Sequence, residues 1–305
     1  MCIALISTAH PDYALVLINN RDEYINRPTV RAHFWGSPNE NVLGGRDLLR
    51  KEQGTWLGIT KEGRIAVLTN FRENVVMNAE ARSRGAMVNA FLTQPAESDS
   101  TTEDFIRTLV EGEGLAGVGG FSLSIPWIAK DKGETVGLSN AAFADRSWPK
   151  VLRGEKLLSE AIKTNVANQN DEARFIEDMF HLLSEDTLPK RSQDQGWDSY
   201  VMELRNSIFI PAIGGEGMDG MSSDDIASAT SSQHVNIENT AKKAEHIDGL
   251  SGIYGTQKQT IVLVDHHGKA TFIERTLYDE NGHSTVDSSE RDRRFEFDIR
   301  GWKKP

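Results

Sequence analysis

The residue of this chain best placed for chemistry is a cysteine at the second position. Cys2 is the only cysteine among 305 residues. Removal of Met1 would leave Cys2 with a thiol and a free α-amine, whose ordinary pKa of about 7.7 to 8.0 suits a general base near neutral pH. Cys2 would then attack an acyl carbonyl as an N-terminal nucleophile. The alternative is a buried thiol without a role, because free cysteine is among the most often buried residue types.

Charged residues at the end of an apolar run could support that nucleophile. Residues 17–23 read LINNRDE. Arg21 could keep the sulfur ionised, since a nearby cation lowers the pKa of a thiol, and Asp22 or Glu23 could orient the amine. The alternative is a polar turn in which Arg21 pairs with one of these carboxylates or with a neighbouring loop.

A predicted β-hairpin brings these residues to Cys2. Two short apolar runs, residues 2–8 and 13–19, flank the turn signal AHPD. A strand that leaves at Cys2 and returns at residue 19 places Arg21 beside the thiol. Both faces of each run are apolar, which is typical of strands covered on both sides in a layered α/β structure.

The rest of the chain predicts strands near both ends and helices between them. TWLGIT and RIAVLTN form a second hairpin, FSLSIPWI a strand, TIVLV and ATFIERTL a third hairpin around DHHGK, and RRFEFDI a last strand. Helices are predicted over residues 83–92, 102–110, 149–163 and 171–183. In the third of these, Leu152 and Leu158 should share one buried face. This order favours one domain over residues 1–305.

One segment differs from the rest of the chain in amino-acid composition. Residues 211–252 are rich in Gly, Ser, Asp and Asn and contain no aromatic residue. Such a composition cannot bury enough apolar surface to offset the entropy of ordering. The sequence therefore predicts a flexible surface insertion at 211–252.

Composition excludes several classes of function. The formal charge of −11 disfavours nucleic acid or an anionic membrane as the main partner. No stretch approaches the roughly 20 apolar residues of a membrane span, so no integral membrane segment is expected. A single cysteine fits a reducing compartment, and the N-terminus lacks the basic region of a signal peptide. We expect a cytoplasmic protein that is not secreted.

Short motifs spread along the chain make it resemble a known family. In chain order they are MCI, NRDE, RPT, FWG, GTWLGI, LTN, SRG, GLSN, WPK, YGT and TFIER. This set resembles the NRDE family, also called the Transport and Golgi Organisation 2 family. The family is similar to N-terminal-nucleophile hydrolases, so the resemblance implies an α+β fold of the four-layer αββα sandwich type.

The resemblance also implies roles for particular residues. By it, Cys2 is the nucleophile position, Arg21 its supporting arginine, and Asp22 or Glu23 the carboxylate near the amine. Asn70 and Asn140, each at an apparent strand end, match oxyanion or substrate positions. Many family members carry arginine after YGT, where this chain has Gln257. Lys258 would then take over any contact with an anionic ligand, as a point charge and not a bidentate fork.

Further residues are candidates for ligand binding. Arg82 and Arg84 stand where a helix should begin, at an end that favours negative charge, so they predict an anion site unless they are solvated loop arginines. Trp56 could form an apolar wall for a flat ligand, although core packing is the alternative. A haem would have to be held noncovalently, because covalent attachment needs two cysteines. Its axial ligand candidates are Cys2, His10, His33, His266 and His267.

Two functions follow, and the sequence leaves both open. The biology associated with the family implies the handling or trafficking of a small amphipathic cargo, with haem the leading candidate and with links to secretion and Golgi organisation. Residue chemistry implies a Cys2-dependent amidohydrolase or thioesterase. A trafficking adaptor that acts through protein contacts is a third reading. The family's links make mitochondrial or Golgi association alternatives to a purely cytoplasmic location.

Overall fold

A computed structural model describes most of the chain. The described residues are 1–70, 83–95, 102–111, 121–124, 133–192, 195–214, 253–279, 283–286 and 288–302. They form a mixed α and β structure with two β-sheets. Arg82 and residues 215–252, most of the predicted insertion, lie outside the described residues.

The first sheet contains the N-terminal strand. Its strands are β1 Ile3–Ser7, β2 Tyr13–Tyr24, β8 Thr135–Leu138, β9 Tyr254–Asp265, β10 Lys269–Thr276 and β11 Asp292–Asp298. They lie in the order β11-β10-β9-β2-β1-β8, and every neighbouring pair is antiparallel. The predicted hairpin of β1 and β2 is confirmed, with Ile3 opposite Asn20. Strands from both ends of the chain therefore meet in one sheet.

The second sheet supplies the wall opposite the first sheet in the candidate active site described below. Its strands are β3 Thr29–Phe34, β4 Val42–Asp47, β5 Leu57–Thr60, β6 Ile65–Asn70 and β7 Phe121–Ser124, in chain order across the sheet. The predicted hairpin of β5 and β6 is confirmed by the pairing of Leu57 with Val67.

Helices follow the predicted order. They are α1 Gly85–Leu92, α2 Thr102–Glu111, α3 Pro149–Asn168, α4 Glu172–Leu183 and the short α5 Trp197–Tyr200, which runs into a 3₁₀ helix, Val201–Asn206. One prediction about α3 is wrong. Leu158 is fully buried, but Leu152 is 45% exposed. Six residues turn a helix by about 600°, so these two side chains point about 120° apart and cannot share one face.

Alternate residues of β1 serve two cores, which explains why both faces of the strand are apolar. Ala4 and Ile6 belong to the core between the two sheets, together with Leu57 of the second sheet. Ile3 and Leu5 pack instead among the buried side chains of α3 and α4. A third core joins the second sheet to α1, where Phe91 and its neighbours are buried.

The pairing of β2 with β9 is irregular at the point where the polar residues begin. Arg21 lies opposite Lys258, but Asp22 lies opposite Thr256, so Gln257 is an extra residue on β9. Such a β-bulge increases the local twist of the strands and re-aims nearby side chains. The site described below is built around this bulge.

No helix within the described ranges is long and apolar enough to cross a membrane.

Candidate active site

A small cleft collects most of the residues that the sequence singled out. Its volume is about 100 Å³. The predicted site residues that line it are Cys2, Arg21, Asp22, Glu23, Trp56, Asn70 and Arg84. We call this space the Cys2 cleft. Three successive residues of β2, from Arg21 to Glu23, contribute to it, which strict alternation along a strand would forbid. The neighbouring bulge provides the extra twist.

The α-amine of the chain is held in a buried cage beside Cys2. The Met1 amine lies 3.1 Å from Asp22 Oδ2 and donates a hydrogen bond to the hydroxyl of Tyr254. Tyr254 in turn donates to the main-chain oxygen of Asp22 at 3.2 Å. Thr256 Oγ1 donates to Asp22 Oδ1 at 2.7 Å. Asp22 is thus the carboxylate that holds the amine.

Glu23 faces a different partner, although it follows Asp22 directly. Its carboxylate lies 3.5 Å from Arg27 Nη1. Arg27 also pairs with Asp47, with Nε 2.7 Å from Oδ2. Of the two carboxylates that the sequence left open, the structure therefore places Asp22 at the amine and Glu23 in an ion-pair group at the rim.

A buried lysine that the sequence reasoning missed completes the cage. Lys150, at the start of α3, has no exposed surface. Its Nζ donates a hydrogen bond to the carbonyl of Met1 and lies 3.9 Å from Asp22 Oδ2. Lysine is mostly exposed in folded proteins, which is why Lys150 was not singled out. Its place in the WPK motif was the available signal for a role at the site.

Burial sets the protonation behaviour of these groups. Desolvation lowers the pKa of the Met1 amine and of Lys150, and the nearby Asp22 carboxylate opposes that shift in both. Desolvation also raises the pKa of the Cys2 thiol, against the lowering effect of the N-terminal ammonium. The cage therefore favours a neutral thiol and makes a neutral amine, able to accept a proton, easier to form.

Cys2 itself is tied to both neighbouring strands. Its Sγ lies 3.5 Å from the main-chain oxygen of Asp22, to which it donates. Its carbonyl accepts a hydrogen bond of 2.6 Å from Ser139 Oγ, just beyond the end of β8. Cys2 is buried and is one of the residues that line the cleft.

Arg21 is positioned from three directions. Its guanidinium carbon lies 4.6 Å from the ring centre of Trp56, a cation–π contact. Its Nη1 donates to the side-chain oxygen of Gln257, and its Nη2 lies 3.8 Å from Asp47 Oδ2. Arg21 therefore has a fixed place in the wall of the Cys2 cleft, with Trp56 packed against it.

The start of α1 closes one side of the cleft. Arg84 occupies the N-cap position of α1, directly before Gly85. A side chain at Gly85 would lie 3.0 Å from the Cα atom of Gly54. This close approach of two backbones brings the helix end to the cleft, which agrees with the predicted place of Arg84.

Two predicted residues lie away from the cleft wall. Asn140 is not among the lining residues, although it follows Ser139, whose hydroxyl holds the Cys2 carbonyl. Its side-chain oxygen is buried and has no hydrogen-bond partner in the part of the chain that the structure describes. Lys258 points to a second cavity, where its Nζ lies 3.7 Å from Glu274 Oε1.

The described residues offer no ready-made metal centre. Within them no group of three or more His, Cys, Asp or Glu side chains could hold a metal ion. Of the axial haem ligands considered from sequence, Cys2 lines the cleft and the four histidines do not. His10 is instead buried against Asn165, with Nε2 2.9 Å from Oδ1.

Comparison with known proteins confirms the predicted family. The sequence model of Transport and Golgi organisation 2 matches residues 1–279. The human Transport and Golgi organization protein 2 homolog is 30% identical over 292 residues, which cover 88% of this chain and 88% of that protein. The Saccharomyces cerevisiae uncharacterized protein YGR127W is 28% identical over 341 residues, covering 98% of this chain and all of that protein. This chain belongs to the Transport and Golgi organisation 2 family.

Solved structures give more distant similarities. A Caenorhabditis elegans N-acylethanolamine-hydrolyzing acid amidase ortholog matches with a TM-score of 0.38 and 13% identity, covering 63% of this chain and 88% of that one. A conjugated bile acid hydrolase from Clostridium perfringens, the mutant C2A, matches with a TM-score of 0.33 and 11% identity, covering 98% of this chain and 92% of that one.

Proposed function

We propose that this protein is an N-terminal cysteine hydrolase that cleaves an amide or thioester bond of a small acyl substrate. The observation that carries the proposal is the buried cage of Asp22, Tyr254 and Lys150, which holds a chain-terminal amine beside the Cys2 thiol. Excision of Met1 would transfer the α-amine to Cys2 itself. The nucleophile and its base would then belong to one residue.

The proposed reaction has two steps. In the first, the Cys2 sulfur bonds to the acyl carbon while the α-amine takes the thiol proton and passes it to the leaving nitrogen as the C–N bond breaks. In the second, water attacks the resulting thioester, the C–S bond breaks, and the thiol recovers its proton. A thioester substrate follows the same path with a thiol as leaving group.

The surrounding residues would divide the supporting tasks. Asp22 orients the amine, and Arg21 stabilises the ionised sulfur or the developing oxyanion from its place against Trp56. Asn70, which lines the Cys2 cleft, is the proposed oxyanion or substrate donor, and Asn140, outside the cleft wall, has no assigned part in the reaction. The helices packed on the outer faces of the two sheets support the four-layer αββα arrangement of N-terminal-nucleophile hydrolases.

A second candidate function, cargo handling, is favoured by a different observation. Met1 is only 2% exposed and packs in one apolar cluster with Tyr24, Trp148 and Tyr254. Retention of Met1 would leave Cys2 without a free amine, and the site would then bind and not cleave. The family name supports transport, and haem is the cargo proposed first. The carrier protein would be cytoplasmic, with Golgi or mitochondrial association as alternatives.

One experiment separates the two functions. Intact mass measurement of the natural protein shows whether Met1 is absent. Wild type, Cys2→Ser and Cys2→Ala are then compared on a panel of acyl amides and thioesters, with haem titration in parallel. The hydrolase proposal expects a free Cys2 amine and turnover that both variants lose. A retained Met1, with no turnover and saturable haem binding, would replace it with the carrier function.

A further inference from the structure

We propose that a second cavity binds a compact phosphomonoester, a site independent of Cys2. This cavity has a volume of about 290 Å³. Four cationic side chains line it: Arg27, Arg31, Lys258 and Arg291. We call it the arginine cavity. It lies between the start of β3, the bulged part of β9 and the segment that leads into β11.

Two of the four cations are already neutralised. Arg27 pairs with Glu23 and Asp47, and Lys258 pairs with Glu274 at 3.7 Å. Arg27 and Lys258 therefore supply hydrogen-bond donors to the cavity without adding net charge.

In the part of the chain that the structure describes, the other two cations form no close ion pair. Within the described ranges, neither Arg31 nor Arg291 has a carboxylate oxygen within 4.0 Å. Glu290 and Asp292 act on Arg31, and Asp292 on Arg291, from farther away. The acidic residues that line the cavity are engaged or exposed. Asp279 pairs with His283 at 3.3 Å, and Glu290 is exposed. The lining therefore holds four cationic and two acidic side chains, and Arg31 and Arg291 are the cations without a close ion pair among the described residues.

Both arginines also have unused hydrogen-bonding capacity. Nε of Arg31 and Nε of Arg291 are buried and lack a partner among the described residues. Arg31 Nη2 is held by the main-chain oxygens of Glu290 and Arg291, the latter at 3.0 Å. Burial lowers the pKa of both guanidinium groups, with Arg293 adding to the shift of Arg31 and Arg275 to that of Arg291, while nearby carboxylates, Asp292 among them, oppose it in both. An anion would relieve this crowding of like charge.

Charge and size select the ligand class. A phosphomonoester carries about −1.5 to −2 charge at neutral pH and three strong acceptor oxygens, so it matches two guanidinium forks. A single carboxylate would leave one arginine unmatched. The volume of about 290 Å³ lies just below the range for small-molecule sites, which is roughly 300 to 1,000 Å³, so the ligand must be compact. A molecule the size of glycerol 3-phosphate fits this description.

The arginine cavity is a neighbour of the Cys2 cleft but not part of it. Arg27 lines both, and Gln257 lines the arginine cavity while it accepts a hydrogen bond from Arg21. Cys2 and Asp22 do not line the arginine cavity. Phosphomonoester binding thus neither needs nor implies hydrolysis at Cys2.

Isothermal titration calorimetry with glycerol 3-phosphate, inorganic phosphate and succinate tests the proposal. The proteins compared are wild type, Arg31→Gln with Arg291→Gln, and a matched control, Arg107→Gln with Arg174→Gln. Arg107 and Arg174 are 62% and 66% exposed, so the control loses the same charge at the surface. The proposal expects saturable one-site binding of glycerol 3-phosphate. We expect at least a tenfold loss in the cavity variant and no change in the control or in Cys2→Ala.

Three results would overturn the proposal. These are the absence of saturable binding to wild type, equal losses in both double variants, and equal or tighter binding of succinate or of inorganic phosphate alone. If the double variant does not fold by circular dichroism, the single variant Arg291→Lys takes its place. It keeps the charge and removes the planar fork, so weaker phosphomonoester binding with unchanged stability supports the site, and unchanged binding rejects it.

Discussion

Replacement of Asp22 by asparagine should be strongly destabilising, because it leaves two buried cations without their counter-charge. Asp22 Oδ2 lies 3.1 Å from the Met1 amine and 3.9 Å from Lys150 Nζ, and the carboxylate has no exposed surface. At an effective dielectric constant of about 20, charges 4 Å apart attract by about 4 kcal/mol. Desolvation offsets much of this attraction, and loss of one partner of a buried pair typically costs about 3 to 5 kcal/mol. We expect a loss of this size in the free energy of unfolding.

The loss should depend on pH in a defined direction. Burial lowers the pKa of both the Met1 amine and Lys150 in the folded protein. In Asp22→Asn their pKa values fall further, so each cation can release its proton as the pH rises. The variant should lose most stability at about pH 6 and less at about pH 9, since a neutral group costs less to bury than an unpaired ion.

Urea denaturation at both pH values measures these losses, and a second substitution supplies the control. Lys150→Met removes one of the two cations, so the double variant should lose less than the sum of the single losses. We expect a coupling of about 1 to 3 kcal/mol. A loss below about 1 kcal/mol in Asp22→Asn, or one that is the same at both pH values, would refute this account of the cage.

Three further predictions concern single residues. Gly85→Ala should lose about 1 to 3 kcal/mol in urea denaturation, because its Cβ would lie 3.0 Å from Gly54 Cα, whereas Gly36→Ala, with nothing within 4 Å, should be near neutral. Asn20→Ala removes the amide that donates to the carbonyls of Leu183 and Ile208 at 2.7 and 2.9 Å. The free energy of unfolding should fall by about 1 to 3 kcal/mol for each carbonyl, and a total loss below about 1 kcal/mol would contradict this. At about pH 7 iodoacetamide should modify Cys2 more slowly than a cysteine peptide, because burial raises the pKa of the thiol. The rate at Cys2 should itself be higher at about pH 9 than at about pH 7, and mass spectrometry checks both rates.

Much of the fold follows from patterns that act over short distances. Apolar runs on both sides of AHPD predict the first hairpin, and the structure pairs Ile3 with Asn20. That hairpin alone brings Cys2 within reach of Asp22, with Sγ and the main-chain oxygen 3.5 Å apart. The candidate site could be located from sequence for this reason.

Residues that reach the site from a distance were harder to predict. Lys150 comes from the start of α3, and single-sequence reasoning places a lysine on the surface. Its burial depends on tertiary contacts with Met1 and Asp22, which no local pattern encodes. The same holds for Tyr254 and Thr256, which β9 brings alongside β2.

Lys258 shows a different limit. The resemblance offered it as a substitute for the arginine after YGT in a contact with an anionic ligand, and the structure places it opposite Arg21 in the ladder. The bulge at Gln257 breaks the simple alternation of faces, and the lysine lines the arginine cavity. An irregularity of one residue leaves no clear trace in a hydrophobic pattern.

The bulge also determines what a one-residue deletion in β9 would change. Loss of Gln257 would remove the two-against-one pairing and make Thr256 and Lys258 direct neighbours, still opposite Asp22 and Arg21. Thr256 and Tyr254 would keep their positions beside Asp22 and the Met1 amine, but Arg21 would lose the Gln257 side chain that accepts its hydrogen bond. A substitution at Gln257 removes the acceptor for Arg21, whereas a deletion there would also remove the local twist that aims Arg21, Asp22 and Glu23 into the Cys2 cleft.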